Sequence, residues 1–254
     1  MKCKKIAVLI AAMLLTAFHA YSQSPDQLAA QAAKEYNSMH YPAAIKLYNN
    51  IVDEGYESYA LYYNLGNAYF RNNETTLAIL YYEKALKLSP NNEDIKHNIE
   101  VINNKLTDKV EKIPDLFYKR WWKHLINIMD IDALAALNII FLTLALLLIA
   151  FYIAVPNLII RKFSFWSGVT LLLFFSIGVI AASQRNHYLA NNHEAIVFAP
   201  TVNIKSSPDE NSKDIFVLHE GTKVTLMDVV SDWQEIRISN GSVGWIKASD
   251  IKKI

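Results

Sequence analysis

Residues 62–70 read Tyr-Tyr-Asn-Leu-Gly-Asn-Ala-Tyr-Phe, and Ala78, Tyr82, Ala85 and Leu86 follow at helical spacing. The small residues Gly66, Ala78 and Ala85 let two antiparallel helices approach closely, while large aromatics fill the space beside them. The pattern has an earlier copy: Ala44, Ile45, Tyr48, Ile51 and Val52 stand 34 residues before Ala78, Ile79, Tyr82, Ala85 and Leu86. Self-similarity at a fixed period of this length is the signature of a stacked helical repeat. Working outward, Ser24-Pro25-Asp26-Gln27 reads as a helix start, with Ser as N-cap, Pro at the first helical position and Gln closing a capping box. Pro90 ends the last repeat helix.

Tyr62, Leu65, Gly66, Tyr69, Ala78, Tyr82, Ala85, Leu86 and Pro90 resemble the tetratricopeptide-repeat family, and the resemblance extends over residues 25–92 as copies 25–58 and 59–92. Two repeats leave an apolar face uncovered. Ile95, Ile99, Ile102 and Leu106, at helical spacing in 94–106, supply a capping helix that completes a domain over 23–108. The resemblance implies a groove lined by the first helix of each repeat, which takes an extended peptide or a partner helix. In the second repeat this face presents Tyr63, Asn67, Phe70 and Arg71, with Asn64 at its edge. Tyr63 and Phe70 fit core packing equally well. The asparagine clamp by which some family members hold a C-terminal carboxylate is not expected, because Ala29 and Ala33 stand at the matching first-repeat positions and Asp94 where a lysine is wanted.

Further along, 133–155 and 163–184 are uncharged apolar runs, each longer than the roughly 20 residues a helix needs to cross a bilayer. Trp121, Trp122, Trp166 and Tyr188 flank them, where amphipathic rings favour the interface. Neither run contains Asp, Glu, Lys, Arg or His, so an anchor is expected rather than a transport path. The 156–162 turn carries Arg161 and Lys162, which favours the cytoplasm, but Lys119, Arg120 and Lys123 compete on the other flank. The N-terminus decides the orientation. Lys2, Lys4 and Lys5, the apolar stretch 6–18 and Ala20-Tyr21-Ser22 read as a signal peptide over 1–22, with a retained anchor as the alternative. Both soluble regions are therefore expected in the periplasm, on the inner membrane. The single cysteine, Cys3, lies inside that signal, which leaves a mature chain without disulfides, thiolate chemistry or Cys-ligated metal.

Residues 188–254, beyond the 109–132 linker and the two spans, switch to short β-type runs at 195–198, 202–205, 215–218, 223–230, 233–238 and 243–246. Asn240-Gly241 predicts a hairpin with a type I′ turn. Val202-Asn203-Ile204-Lys205-Ser206-Ser207-Pro208, Leu218-His219-Glu220-Gly221, Trp233 and Gly244-Trp245-Ile246 resemble the bacterial SH3 domain over about 193–254, with Lys205 where Arg is usual. The resemblance implies a small all-β SH3-like barrel that docks cell-wall peptides or neighbouring proteins. Trp233 and Trp245 are its candidate apolar contacts, with core or rim packing as the alternative role.

The formal net charge of +1 and the lack of a basic, aromatic-interleaved patch argue against nucleic acid. No nucleophile elbow, phosphate loop, zinc-protease or dinucleotide fingerprint is present, so the chain is expected not to be an enzyme and to need no cofactor. The full order is signal, repeats, linker, two-span hairpin and SH3-like domain. With Asp94-Ile95-Lys96-His97-Asn98, Ile113-Pro114-Asp115-Leu116-Phe117 and Arg120-Trp121-Trp122, it resembles the BatE-type proteins of the Bacteroides aerotolerance operon. That resemblance implies a multidomain membrane scaffold accompanying von Willebrand-type membrane proteins in an envelope complex under stress. The alternative is a peptidoglycan-binding envelope sensor acting through the SH3-like domain.

Overall fold

The computed structural model describes residues 24–109, 116–118, 120–122, 131–190 and 193–254. The signal at 1–22 and most of the 109–132 linker lie outside the described residues. The repeat region is built from α1 (Pro25–Asn37), α2 (Tyr41–Asp53), α3 (Tyr59–Arg71), α4 (Thr75–Leu88) and α5 (Glu93–Asn103). The capping box at Ser24 forms in both directions, Gln27 N–H to Ser24 Oγ and Ser24 N–H to Gln27 Oε1, each 3.3 Å. The 34-residue period is visible in the backbone as well as in the side chains. Met39 N–H donates to Tyr36 O and His40 N–H to Glu35 O, and Asn73 N–H to Phe70 O and Glu74 N–H to Tyr69 O repeat both bonds. Both turns hold a left-handed residue, Met39 at φ 63° and Asn73 at φ 64°. This is the Schellman arrangement that satisfies the last carbonyls of a helix.

Ala44, Ala78 and Ala85 are fully buried between the helices, with Tyr48 and Tyr82 beside them. A Cβ on Gly66 would lie 2.7 Å from the Tyr82 ring, so only glycine permits this approach of α3 to α4. The capping helix forms, and Ile95, Ile99 and Ile102 are buried beneath it with Leu106 packed alongside.

Helices α6 (Ile131–Ala154) and α7 (Leu158–Ala190) form an antiparallel hairpin. The connection is shorter than the apolar runs imply. Helix resumes at Leu158, so Arg161 and Lys162 lie within the start of α7, and α7 runs several residues past the second apolar run. Both helices are long and apolar enough to cross a membrane, and most of their apolar side chains face outward rather than into a protein core. Small residues make the contact: Ala145 is fully buried, and Gly178 leaves room for the Asn138 carboxamide.

The C-terminal strands are β1 (Glu194–Val197), β2 (Thr201–Lys205), β3 (Asp214–His219), β4 (Lys223–Val230), β5 (Trp233–Arg237), β6 (Val243–Lys247) and β7 (Ile251–Lys253). They form an antiparallel sheet in the order β3-β2-β6-β5-β4-β1-β7. The domain is SH3-like, but the sheet is open where a closed barrel was expected. Its β7 end is drawn onto the repeats, where the following residue, Ile254, joins their core. The Asn240-Gly241 hairpin is present with a different turn. Only Gly241 has positive φ (89°), Gly241 N–H donates to Ile238 O, and Ile238 N–H donates to Ser242 O. This is a three-residue loop closed by a left-handed glycine.

Candidate partner-binding surfaces

The groove face of α3 divides into a half tied into the helices behind it and a half that is more exposed. Asn67 Oδ1 accepts from the Tyr82 hydroxyl at 2.6 Å and from Asn98 Nδ2 at 3.2 Å. Asn98 Nδ2 also reaches the Tyr63 hydroxyl at 3.3 Å. Burial pushes the Tyr82 hydroxyl well above its ordinary pKa, so it stays protonated as the donor in this network. Asn67 and Tyr63 therefore join α3, α4 and α5, and the groove floor is preset. Asn64 and Arg71 are exposed, and the Arg71 guanidinium bonds the Tyr36 hydroxyl across from α1. Phe70 is half-buried beneath Lys105, whose ammonium stands 4.7 Å from the ring centroid. Arg71 and Lys105 thus make one end of the groove cationic.

The two tryptophans part company. Trp233, on β5, is buried at 8% exposure, with the Lys247 ammonium 5.7 Å from its ring centroid. Trp245, on β6, is half-buried between Lys205 on β2 and Glu235 on β5. Lys205 pairs with Asp214 at 2.7 Å, so the surface beside Trp245 is a salt-bridged rim.

What the sequence did not disclose is the seam between the two soluble regions. Strand β1 is buried on both faces: Val197 enters the core of the sheet, while Ile196 enters the core of the repeats. Phe198 and Ile254 pack onto the repeat core as well. Lys223 on β4 spans the seam, its ammonium 2.9 Å from Glu83 on α4 and 2.8 Å from Glu194 on β1. Burial alone would lower the Lys223 pKa, but Glu83 and Glu194 outweigh it and hold the ammonium above its ordinary value. A second clasp closes on Asp108. Its carboxylate accepts from His219 N–H, contacts His219 Nδ1 and accepts from the Thr222 hydroxyl, each at 2.7 Å. Burial acts to raise the Asp108 pKa, yet these donors prevail and hold it below the ordinary carboxylate value. Between the clasps Leu106 fills the space over Gly221, where a Cβ would lie 2.6 Å from Leu106 Cδ2. Thr76 adds a hydrogen bond of 2.7 Å to Glu220. A cavity of about 290 Å³ remains along the seam, lined by Glu57, Tyr62, Lys84, Lys87, Leu88 and Ile254.

Two family matches agree with this geometry. Residues 59–92 match the tetratricopeptide repeat. Residues 200–252 match the bacterial SH3 domain. No curated protein matches the chain. Both matched families are interaction modules. The first copy, 25–58, lies outside the match, and its place in the array rests on the repeated turn and packing described above. Among the described residues, no group of three or more His, Cys, Asp or Glu side chains is placed to hold a metal ion.

Proposed function

We propose that the chain is a non-catalytic, membrane-anchored scaffold of a bacterial envelope complex, with an accessory role of the BatE type in aerotolerance or stress. The repeat groove receives an extended segment of another envelope protein, of which the von Willebrand-type Bat proteins are the first candidates. The SH3-like domain engages a second partner. Both soluble domains lie in the periplasm and the α6/α7 hairpin holds them to the inner membrane. The supporting observation is the seam: Lys223, Glu83 and Glu194, with Ile196 and Ile254, join two interaction modules into one body. Joined modules suit holding two partners in fixed geometry.

The site residues divide accordingly. Asn64, Arg71 and the Phe70–Lys105 edge contact the partner, while Tyr63 and Asn67 shape the floor. The test is affinity purification of full-length protein from cross-linked, detergent-solubilised membranes, beside an Asn64→Ala/Arg71→Glu/Lys105→Glu variant. Exposed positions are chosen so that the fold survives. Envelope proteins recovered with the wild type and lost with the variant support the reading. Identical recovery from both would remove the groove from it, and recovery of no envelope protein would sink the scaffold.

A second reading, a peptidoglycan-binding sensor, draws on the bacterial SH3 match and on the half-buried Trp245 within it. Pelleting of the detergent-solubilised full chain with purified sacculi, reduced by Trp245→Ala, would favour it. Equal pelleting of the two proteins would count against it.

A further inference from the structure

The seam cavity holds a charge pattern that neither clasp uses. Lys84 and Lys87, both on α4, line it together. Residues at that spacing are neighbours on one face of a helix. The Lys84 ammonium is held between two rings, 5.6 Å from the centroid of Tyr62 and 5.6 Å from that of Tyr81. Both lysines are half-buried. Burial lowers the pKa of each, and at Lys87 the charge of Lys84 acts in the same direction.

The carboxylates within reach are engaged elsewhere. Glu83 and Glu194 close on Lys223. Glu57 lines the cavity and faces the Tyr62 hydroxyl, whose pKa is raised first by burial and then by that carboxylate. Its charge supports both lysines at longer range. Among the described residues, no carboxylate forms an ion pair with either ammonium. The cavity walls thus carry two positive charges against one negative.

The rest of the lining is apolar: Leu88 on α4, the Tyr62 ring on α3 and Ile254 beyond β7. A volume of about 290 Å³ lies at the small end of the range for small-molecule pockets. Charge and walls together select the occupant. A neutral apolar molecule would remove water from the two ammoniums and give them no counter-charge, which is costly. A dianion would bring one negative charge more than the walls offset, and would leave Leu88 and Ile254 without a partner. A monoanion with a compact aliphatic body satisfies both requirements.

We infer that the seam cavity is a binding site for a small aliphatic carboxylate, with its head at Lys84 and Lys87 and its body against Leu88 and Ile254. The site is composite. Helix α4 supplies the charges and the C-terminal domain supplies Ile254, so the ligand ties the two domains at a third point besides the clasps at Lys223 and Asp108. Occupancy stiffens the joined body.

The test is calorimetric titration of the full chain in non-ionic detergent, at constant ionic strength, with 4-methylpentanoate, its neutral amide and sulfate. The acid should saturate a single site, with the amide and sulfate at least ~10-fold weaker, as expected when a buried charge loses its partner. Lys84→Met/Lys87→Met keeps the apolar stems and should weaken the acid by a similar factor. Lys87→Met alone leaves the ring contacts of Lys84 in place and should weaken it several-fold, which keeps the test alive if the double variant does not fold. Hydrogen exchange separates binding at the seam from uptake into detergent. Saturating acid should slow exchange in wild-type peptides covering 79–88 and 250–254, while those of α1 stay unchanged. A free acid and the end of a peptide chain carry the same head and body. N-acetyl-alanyl-leucine in the same titration distinguishes them, tighter binding than 4-methylpentanoate assigning a chain end and weaker binding a free acid. Equal binding of acid and amide, sulfate as tight as the acid, or acid binding unchanged in Lys87→Met would overturn the inference. So would the absence of seam protection at saturating acid.

Discussion

Replacing Lys223 by Met keeps the length of the side chain and removes its charge, leaving Glu83 and Glu194 facing each other across the seam. The cost follows from burial. The side chain of Glu83 is 8% exposed, that of Glu194 28% and that of Lys223 33%, so the triad lies between a fully buried pair and a surface one. Removing one partner of a buried pair costs ~3–5 kcal/mol, whereas an exposed pair is worth ~0–1 kcal/mol. An intermediate ~2 kcal/mol is expected, which speeds local opening ~30-fold. Hydrogen exchange of the full chain in detergent measures it directly. Peptides covering 194–198 and 79–88 should exchange ~30-fold faster in Lys223→Met, while those of α1 stay unchanged. Adding Glu83→Gln should recover part of the loss, because one stranded carboxylate is then gone. The pH dependence has a definite sign. The folded-state pKa of Lys223 is raised, so its contribution is complete below the ordinary lysine value and is lost as pH rises through the folded value. Wild-type protection across the seam should therefore hold through neutral pH and weaken only in strong alkali. Unchanged exchange at 194–198, or equal acceleration in α1, would refute a latch at Lys223.

Met39→Gly should stabilise the repeats by ~1 kcal/mol, since a left-handed residue with a Cβ carries about that strain, and urea denaturation would show it as a raised midpoint. Gly66→Ala should destabilise by ~1–3 kcal/mol, because the added methyl meets the Tyr82 ring at 2.7 Å, and the same denaturation series reads it out. Asp108 has a lowered pKa, so its contribution is present above the ordinary carboxylate value and lost as pH falls through the folded one. Protection of 218–222 in the wild type should accordingly decline below about pH 4, and Asp108→Asn should lose that decline along with the protection.

Much of the architecture could be read from local pattern. Ala44 and Ala78, Tyr48 and Tyr82 are buried where a 34-residue period puts them, because helix pairs impose their spacing on sequence. The hairpin at Asn240-Gly241 was legible, but its turn type was not: a single left-handed glycine also closes a three-residue loop. Strand β7 escaped notice because three residues carry no periodicity, and its place depends on pairing with β1. Trp233 was named as a candidate contact with core packing as the alternative, and it lies buried, since an alternating strand does not say which of its faces is covered. On α3, Asn67 was read as part of the groove face, and only the approach of Tyr82 and Asn98 shows that its oxygen is committed. The seam was invisible for a plainer reason. Glu83 and Lys223 stand 140 residues apart, and neither charge is unusual where it sits.

The double burial of β1 bears on how such a chain can be cut and recombined. The stretch that matches the bacterial SH3 domain, 200–252, omits β1 entirely and stops before Ile254. A gene segment with those limits would leave behind Ile196 and Ile254, two plugs of the neighbouring repeat core, together with the strand that zips β4 to β7. The repeats, shorn of the same plugs, would present an unfilled socket to water. The two modules are therefore structurally interdependent, and a swap that respected only the borders of their recognisable motifs would strand both halves.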